Sequence, residues 1–102
     1  DVGDILRATF PGGSITGAPK IRAMQVIAEL ETSRRGAYTG SLGYFDTGGA
    51  FALNIAIRTI VARDGQASVW AGSGIVADSD PEEEYRETMS KASPLFASLG
   101  TA

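Results

Sequence analysis

Residues 82–91 read EEEYRETMSK. On a helix, Glu84, Glu87 and Lys91 recur at i, i+3 and i+7 and form one narrow stripe. Two carboxylates one turn apart can share a hard cation such as Mg2+, which keeps water and takes further oxygens from its substrate. The same residues also suit a solvated helix start. Glu82, Glu83 and Glu84 favour the positive end of the dipole, and Glu87–Lys91 is an ordinary i,i+4 pair.

Arg58 falls within AFALNIAIRTIVA (50–62), on the face that also carries Ala52, Asn54 and Ala56. Small neighbours leave room above that face. An arginine at the centre of a strand needs an anion, either a ligand carboxylate gripped bidentately or a structural Asp or Glu. Gly72 and Gly74 flank Ser73 in WAGSGIVADS. Glycines two apart on a strand let a ligand approach the backbone, or mark a bulge. The stretch PGGSITGAPKIRAM (11–24) looks at first like a phosphate cradle. Gly12 and Gly17 have the P-loop separation, but Ala18-Pro19 displace Lys20 by two places and Pro19 removes an N–H donor. What remains is a helix start able to present amides to an oxygen anion, or a plain capping turn with Ser14 or Thr16 as N-cap.

Composition bounds the chemistry further. The 102 residues include no cysteine and no histidine, which excludes thiolate and Ser-His-Asp catalysis and Cys or His metal sites within the chain. A net charge of −3 gives no basic field for nucleic acid or an anionic membrane. No apolar run reaches membrane-spanning length, and no signal peptide is evident, so a cytoplasmic location is expected.

These groups must be positioned by a small α+β fold. VGDILRAT (2–9) suggests a short helix ended by Pro11-Gly12-Gly13. A second helix is predicted over about 17–31, with Pro19 in its first turn and Ala23, Val26, Ile27 and Leu30 as its apolar stripe, widened by Ile21 and Met24. Three strands (about 37–45, 50–62 and 66–77) follow as an antiparallel meander joined by Asp46-Thr47-Gly48-Gly49 and Arg63-Asp64-Gly65. Within 50–62, Phe51, Leu53, Ile55, Ile57 and Val61 share one face. A last helix over about 80–99 opens with Asp80 as N-cap, Pro81 at N1 and Glu83 at N3. Its core stripe is Tyr85, Met89, Ala92, Phe96 and Leu99. Both long helices are expected on one side of the sheet.

Four stretches, FPGGSITGAPKIRAM, RRGAYTGSLGY, NIAIRT and GSGIVADSDPEEEYRETMSKA, resemble the C-terminal portion of the chorismate-utilising enzymes in order and spacing, over nearly the whole chain. The resemblance implies that 1–102 is a single C-terminal segment of a larger chorismate-binding α/β sandwich. It implies Mg2+, no organic cofactor, chorismate as substrate and, in the members that aminate it, ammonia from a glutamine amidotransferase partner. Carried over by motif, Glu84 and Glu87 match Mg2+-site glutamates, and Lys91 matches a lysine near the ring carboxylate. Tyr38 and Arg58 match the pair holding a substrate carboxylate. Gly72, Ser73 and Gly74 match a turn whose amides meet another carboxylate oxygen, and Ser14 matches a position beside the substrate. Lys20 belongs to the signature without an assigned role.

The motifs GGSITGAPK and NIAIRT lean towards the branch that forms aminodeoxychorismate for folate, a transferase or lyase type, over the branch that forms anthranilate for tryptophan. The family's catalytic histidine, another Mg2+-binding glutamate and the segment that separates the branches have no counterpart in this sequence. The chain alone is therefore expected to be inactive, with exposed faces that suit a homodimer. A reading of another class is a non-catalytic domain that binds a small dicarboxylate or a protein.

Overall fold

The computed structural model describes residues 1–100. The chain divides into two compact units, Asp1–Arg34 and the part from Arg35 onward. It contains helices and antiparallel strand pairs, an α+β protein.

The first unit is helical. α1 (Val2–Thr9) starts at Asp1, whose side chain accepts from the Asp4 N–H at 2.9 Å while Asp4 reaches back to the N-terminal amine. α2 (Gly13–Thr16) is a single turn, and α3 (Lys20–Leu30) follows. The expected helix over 17–31 is thus corrected at its start. Ser14 lies inside α2 rather than capping a long helix, and Pro19 is the N-cap of α3 with no side-chain cap. Two local preferences separate the helices. A proline disfavours helical backbone at the residue before it, here Ala18. Gly17 has φ +113°, a region closed to most side chains, and a Cβ built on it would lie 3.1 Å from that of Ala23. The glycine therefore lets α2 fold back against α3.

The second unit carries four short strands. β1 (Gly43–Phe45) pairs with β2 (Phe51–Leu53), placing Gly43 opposite Leu53 and Phe45 opposite Phe51. β3 (Thr59–Arg63) pairs with β4 (Gln66–Trp70), placing Thr59 opposite Trp70 and Arg63 opposite Gln66. The expected three-stranded meander is instead two two-stranded sheets. The predicted strand 50–62 is interrupted at Arg58, whose φ of +46° lies in the left-handed region. Its two halves serve different partners: Asn54 and Ala56 still donate to Leu42 and Gly40, whereas 59–63 bond to 66–70. The predicted strand 37–45 begins as a turn, with Tyr38 donating to Arg35 and Gly40 to Ala37, and only 43–45 is extended. The strand predicted to reach 77 ends at Trp70.

Both anticipated turns are present. Asp64 and Gly65 take φ +53° and +75°, the type I′ pattern suited to a two-residue hairpin. Asp46 closes the other turn by accepting the Ala50 N–H on its side chain at 2.8 Å.

α4 (Pro81–Ser98) packs against β4. Its start matches the sequence reading: Asp80 accepts the Glu83 N–H at 3.0 Å and Pro81 occupies the first turn. The anticipated cores are mostly open. Among the described residues only Ala56 (7 % exposed) and Ala92 (6 %) are buried apolar side chains. Tyr85, Met89, Phe96 and Leu99 remain exposed, as do Ile21 (76 %) and Leu30 (74 %) of α3. The accessible surface, 7816 Å², exceeds the roughly 5,500–6,500 Å² that size scaling gives for this mass as one or two folded bodies. Among the described residues no helix is long and apolar enough to cross a membrane.

Candidate functional site

The second unit gathers most of the chemistry-bearing residues where the chain leaves β4 and enters α4. The Asp80 cap and Pro81 fix the start of α4, so Glu84, Glu87, Thr88 and Lys91 project from successive turns of one side. The turn Gly72-Ser73-Gly74 lies beside them. Ser73 donates to the Glu84 backbone carbonyl at 3.4 Å, and Thr88 donates to Ser73 Oγ at 3.4 Å. Lys91 Nζ donates to Glu87 Oε1 at 2.6 Å and to the Gly72 carbonyl at 3.4 Å. One lysine thus ties the helix stripe to the glycine turn, and the sequence-derived grouping of Gly72, Ser73, Glu84, Glu87 and Lys91 is spatial as well.

Glu84 has an unusual environment. Ser73 and then Ser79 act on its carboxylate by side-chain hydrogen bonding and hold its pKa below the usual 4.5. Desolvation works against them and the charge of Lys91 works with them. Neither hydroxyl closes a well-formed hydrogen bond on Oε2, which is enclosed and has no partner among the described residues. An enclosed carboxylate oxygen left unpaired calls for a cation, a water or a ligand donor. An open cavity of about 350 Å³ adjoins it, lined by Ser73, Ser79, Glu84 and Thr88 with Ile75, Pro81 and Tyr85. Ser79 is itself clasped, its N–H donating to the Val76 carbonyl at 3.0 Å and its hydroxyl accepting the Val76 N–H at 2.9 Å.

The donor set fits a hard divalent cation: oxygen ligands only, one of them ionised and unpaired. Among the described residues no group of three acidic side chains forms a self-sufficient metal site. Two carboxylates plus substrate and water oxygens is the composition Mg2+ accepts.

Tyr38 reaches the same turn from the other end of the unit. A Cβ built on Gly72 would lie 2.7 Å from its hydroxyl oxygen, so any larger residue there would push the phenol tip from its place. Arg58 is exposed at the break between β2 and β3 and forms no ion pair among the described residues, so the expectation of a strand-centre arginine is corrected. Ala56, two residues before it, accepts the Thr39 N–H at 2.6 Å, which keeps the Arg58 segment alongside the Tyr38 turn. Gly74 is exposed and continues the turn. Ser14 and Lys20 belong to the first unit and are exposed there.

Sequence reasoning missed Ser79 and Thr88. Thr88 was detectable as the i+4 neighbour of Glu84 on the same stripe. Ser79, immediately before the N-cap, carried no helical pattern to mark it.

The chorismate binding enzyme family model matches residues 1–97. Over 102 residues, the whole of this chain, the sequence is 54% identical to anthranilate synthase component 1 of Aquifex aeolicus, covering 21% of that protein. It is also 54% identical to aminodeoxychorismate synthase component 1 of Bacillus subtilis, over 97% of this chain and 21% of that protein. With a probable chloroplastic aminodeoxychorismate synthase of rice it shares 56% over 87% of this chain and 10% of that protein. The chain thus spans about a fifth of the length of the bacterial relatives, and relatives of both names stand equally near. With the glycine turn, acidic stripe and lysine in place, and a family match along almost its full length, the chain belongs to the chorismate binding enzyme family.

Proposed function

We propose that this chain is a C-terminal segment of an enzyme that aminates chorismate, and that its second unit supplies the wall which holds the substrate's carboxylates and Mg2+. The observation that carries this reading is the enclosed, unpartnered Oε2 of Glu84, one helical turn from the Glu87–Lys91 pair and beside the Gly72-Ser73-Gly74 turn. Glu84 and Glu87 hold Mg2+. Lys91 and the backbone amides of the glycine turn receive the ring carboxylate, and Tyr38 with Arg58 receives the enolpyruvyl carboxylate. When bound, Mg2+ supplies positive charge that favours departure of the ring hydroxyl as negative charge develops. Among the described residues no acid pairs with the exposed guanidinium of Arg58, which suits an incoming carboxylate.

Within this reading the product is aminodeoxychorismate, formed with ammonia from a glutamine amidotransferase partner. GGSITGAPK and NIAIRT support that branch, and the equal identity to both named relatives keeps anthranilate as its rival.

The test supplies the full-length polypeptide carrying this chain with chorismate, ammonia and Mg2+, and identifies the product by chromatography. Mg2+-dependent loss of chorismate is expected, and Glu87→Ala should abolish it. Unimpaired Mg2+-dependent turnover by that variant would remove the metal assignment. Anthranilate as the product would overturn the branch while leaving the rest standing.

A further inference from the structure

Tyr38 is held at both ends. Its ring stacks on Trp70 with centroids 5.8 Å apart and planes 23° from parallel. The Arg35 guanidinium carbon lies 5.7 Å from the Tyr38 ring centroid. The hydroxyl meets Gly72 so closely that a Cβ there would lie 2.7 Å from it. Behind the ring the backbone is fixed as well. Thr39 is left-handed at φ +67°, and its N–H is bonded to the Ala56 carbonyl. Trp70 ends β4 and Gly72 follows two residues later, so one short stretch packs the face of Tyr38 and makes room for its tip.

We propose that Trp70 and Gly72 are positioning residues for Tyr38, with Trp70 setting the ring plane and Gly72 admitting the hydroxyl to the turn that presents the backbone amides. The functional part of this inference rests on the reading of Tyr38 as a carboxylate-binding residue. A single hydroxyl contributes to substrate binding only when it is held within a fraction of an ångström of its acceptor, and an unsupported phenol samples too many positions. Nothing in the sequence alone joins Tyr38 to a residue more than thirty positions away.

The test combines two double-mutant cycles in the full-length polypeptide. The first uses Tyr38→Phe and Trp70→Leu, with chorismate KM and kcat, and chorismate affinity by calorimetry with ammonia withheld. Tyr38→Phe is expected to weaken chorismate about tenfold, the scale of one hydrogen bond to a charged group. Trp70→Leu should weaken it similarly, mainly in KM, and the double variant should be no more than about twofold worse than the weaker single. Trp70→Phe, which keeps a stacking ring, should restore binding to within about threefold.

The second cycle uses Gly72→Ala and reads the melting temperature, so it stands even if Trp70→Leu does not fold. Gly72→Ala should lower it, and adding Tyr38→Phe, which removes the crowded oxygen, should recover most of the loss. Additive effects of Tyr38→Phe and Trp70→Leu on chorismate, or no recovery in the second cycle, would overturn the positioning role. Recovery in the second cycle together with unchanged chorismate affinity in Tyr38→Phe would uphold the packing and overturn the substrate role of Tyr38 instead.

Discussion

Lys91 offers the sharpest separation between a structural and a functional role. Its contact with Glu87 is short, 2.6 Å, but the two side chains are 30 % and 51 % exposed, and its bond to the Gly72 carbonyl is long at 3.4 Å. An i,i+4 pair of that exposure contributes about 0.3–0.5 kcal/mol, and the long hydrogen bond adds little. Lys91→Met keeps the aliphatic stem and should therefore cost less than about 1 kcal/mol of stability. A charge-assisted bond to a substrate carboxylate is worth about 1.5–3 kcal/mol, which converts to roughly a 10- to 150-fold rise in chorismate KM. The assay pairs urea unfolding with initial-rate kinetics on the same preparation of the full-length polypeptide. The expected outcome is a small shift in the unfolding midpoint with a large rise in KM. A loss of more than about 2 kcal/mol in stability with KM unchanged would show that Lys91 braces α4 against the glycine turn and does not meet substrate.

Two further outcomes follow from the same geometry. The pKa of Glu84 is lowered first by Ser73, so its ionised form is favoured in the folded state. The stability this contributes is present above the unfolded value and is lost as pH falls through the lower folded value. Ser73→Ala should move the acid limb of Mg2+ binding, followed by calorimetry across pH, upward towards the ordinary glutamate range; an unmoved limb would remove Ser73 as the leading cause. Asp80→Ala removes the cap on the Glu83 N–H and should cost about 1 kcal/mol in urea unfolding, with Asp80→Asn recovering most of it.

What the sequence revealed divides along a physical line. The start of α4 and the Asp64-Gly65 turn are set by interactions within a few residues, and both were legible: a carboxylate three residues before an orphan N–H, and an Asp-Gly pair suited to positive φ. The break at Arg58 was not. Alternation puts Phe51, Leu53, Ile55, Ile57 and Val61 on one face with no glycine or proline between them, and arginine has no preference for left-handed backbone. The interruption comes from pairing, because 51–56 bonds back to 40–45 while 59–63 bonds forward to 66–70. The division of 13–30 into α2 and α3 has a visible signal in Ala18-Pro19, since a proline disfavours helical backbone at the residue before it, although the apolar period that follows continues to Leu30.

The same distinction explains the site. Spacing alone placed Glu84, Glu87 and Lys91 on one side of a helix, since 3.6 residues per turn leaves little choice. Spacing did not join Tyr38 to Trp70 and Gly72, because that contact needs the chain to return from β4 to the turn before β1. Nor did it predict burial. The stripe Tyr85, Met89, Ala92, Phe96 has the period of a core face, yet only Ala92 is covered. Periodicity specifies which side of an element is apolar, whereas burial also requires a second surface of matching extent. The polar cluster does not suffer from that gap. Its contacts lie within about two turns of α4 and the loop that leads into it, so Glu84, Ser73 and Lys91 come together when that one loop folds back on the helix, while much of the apolar surface of the same helix remains open.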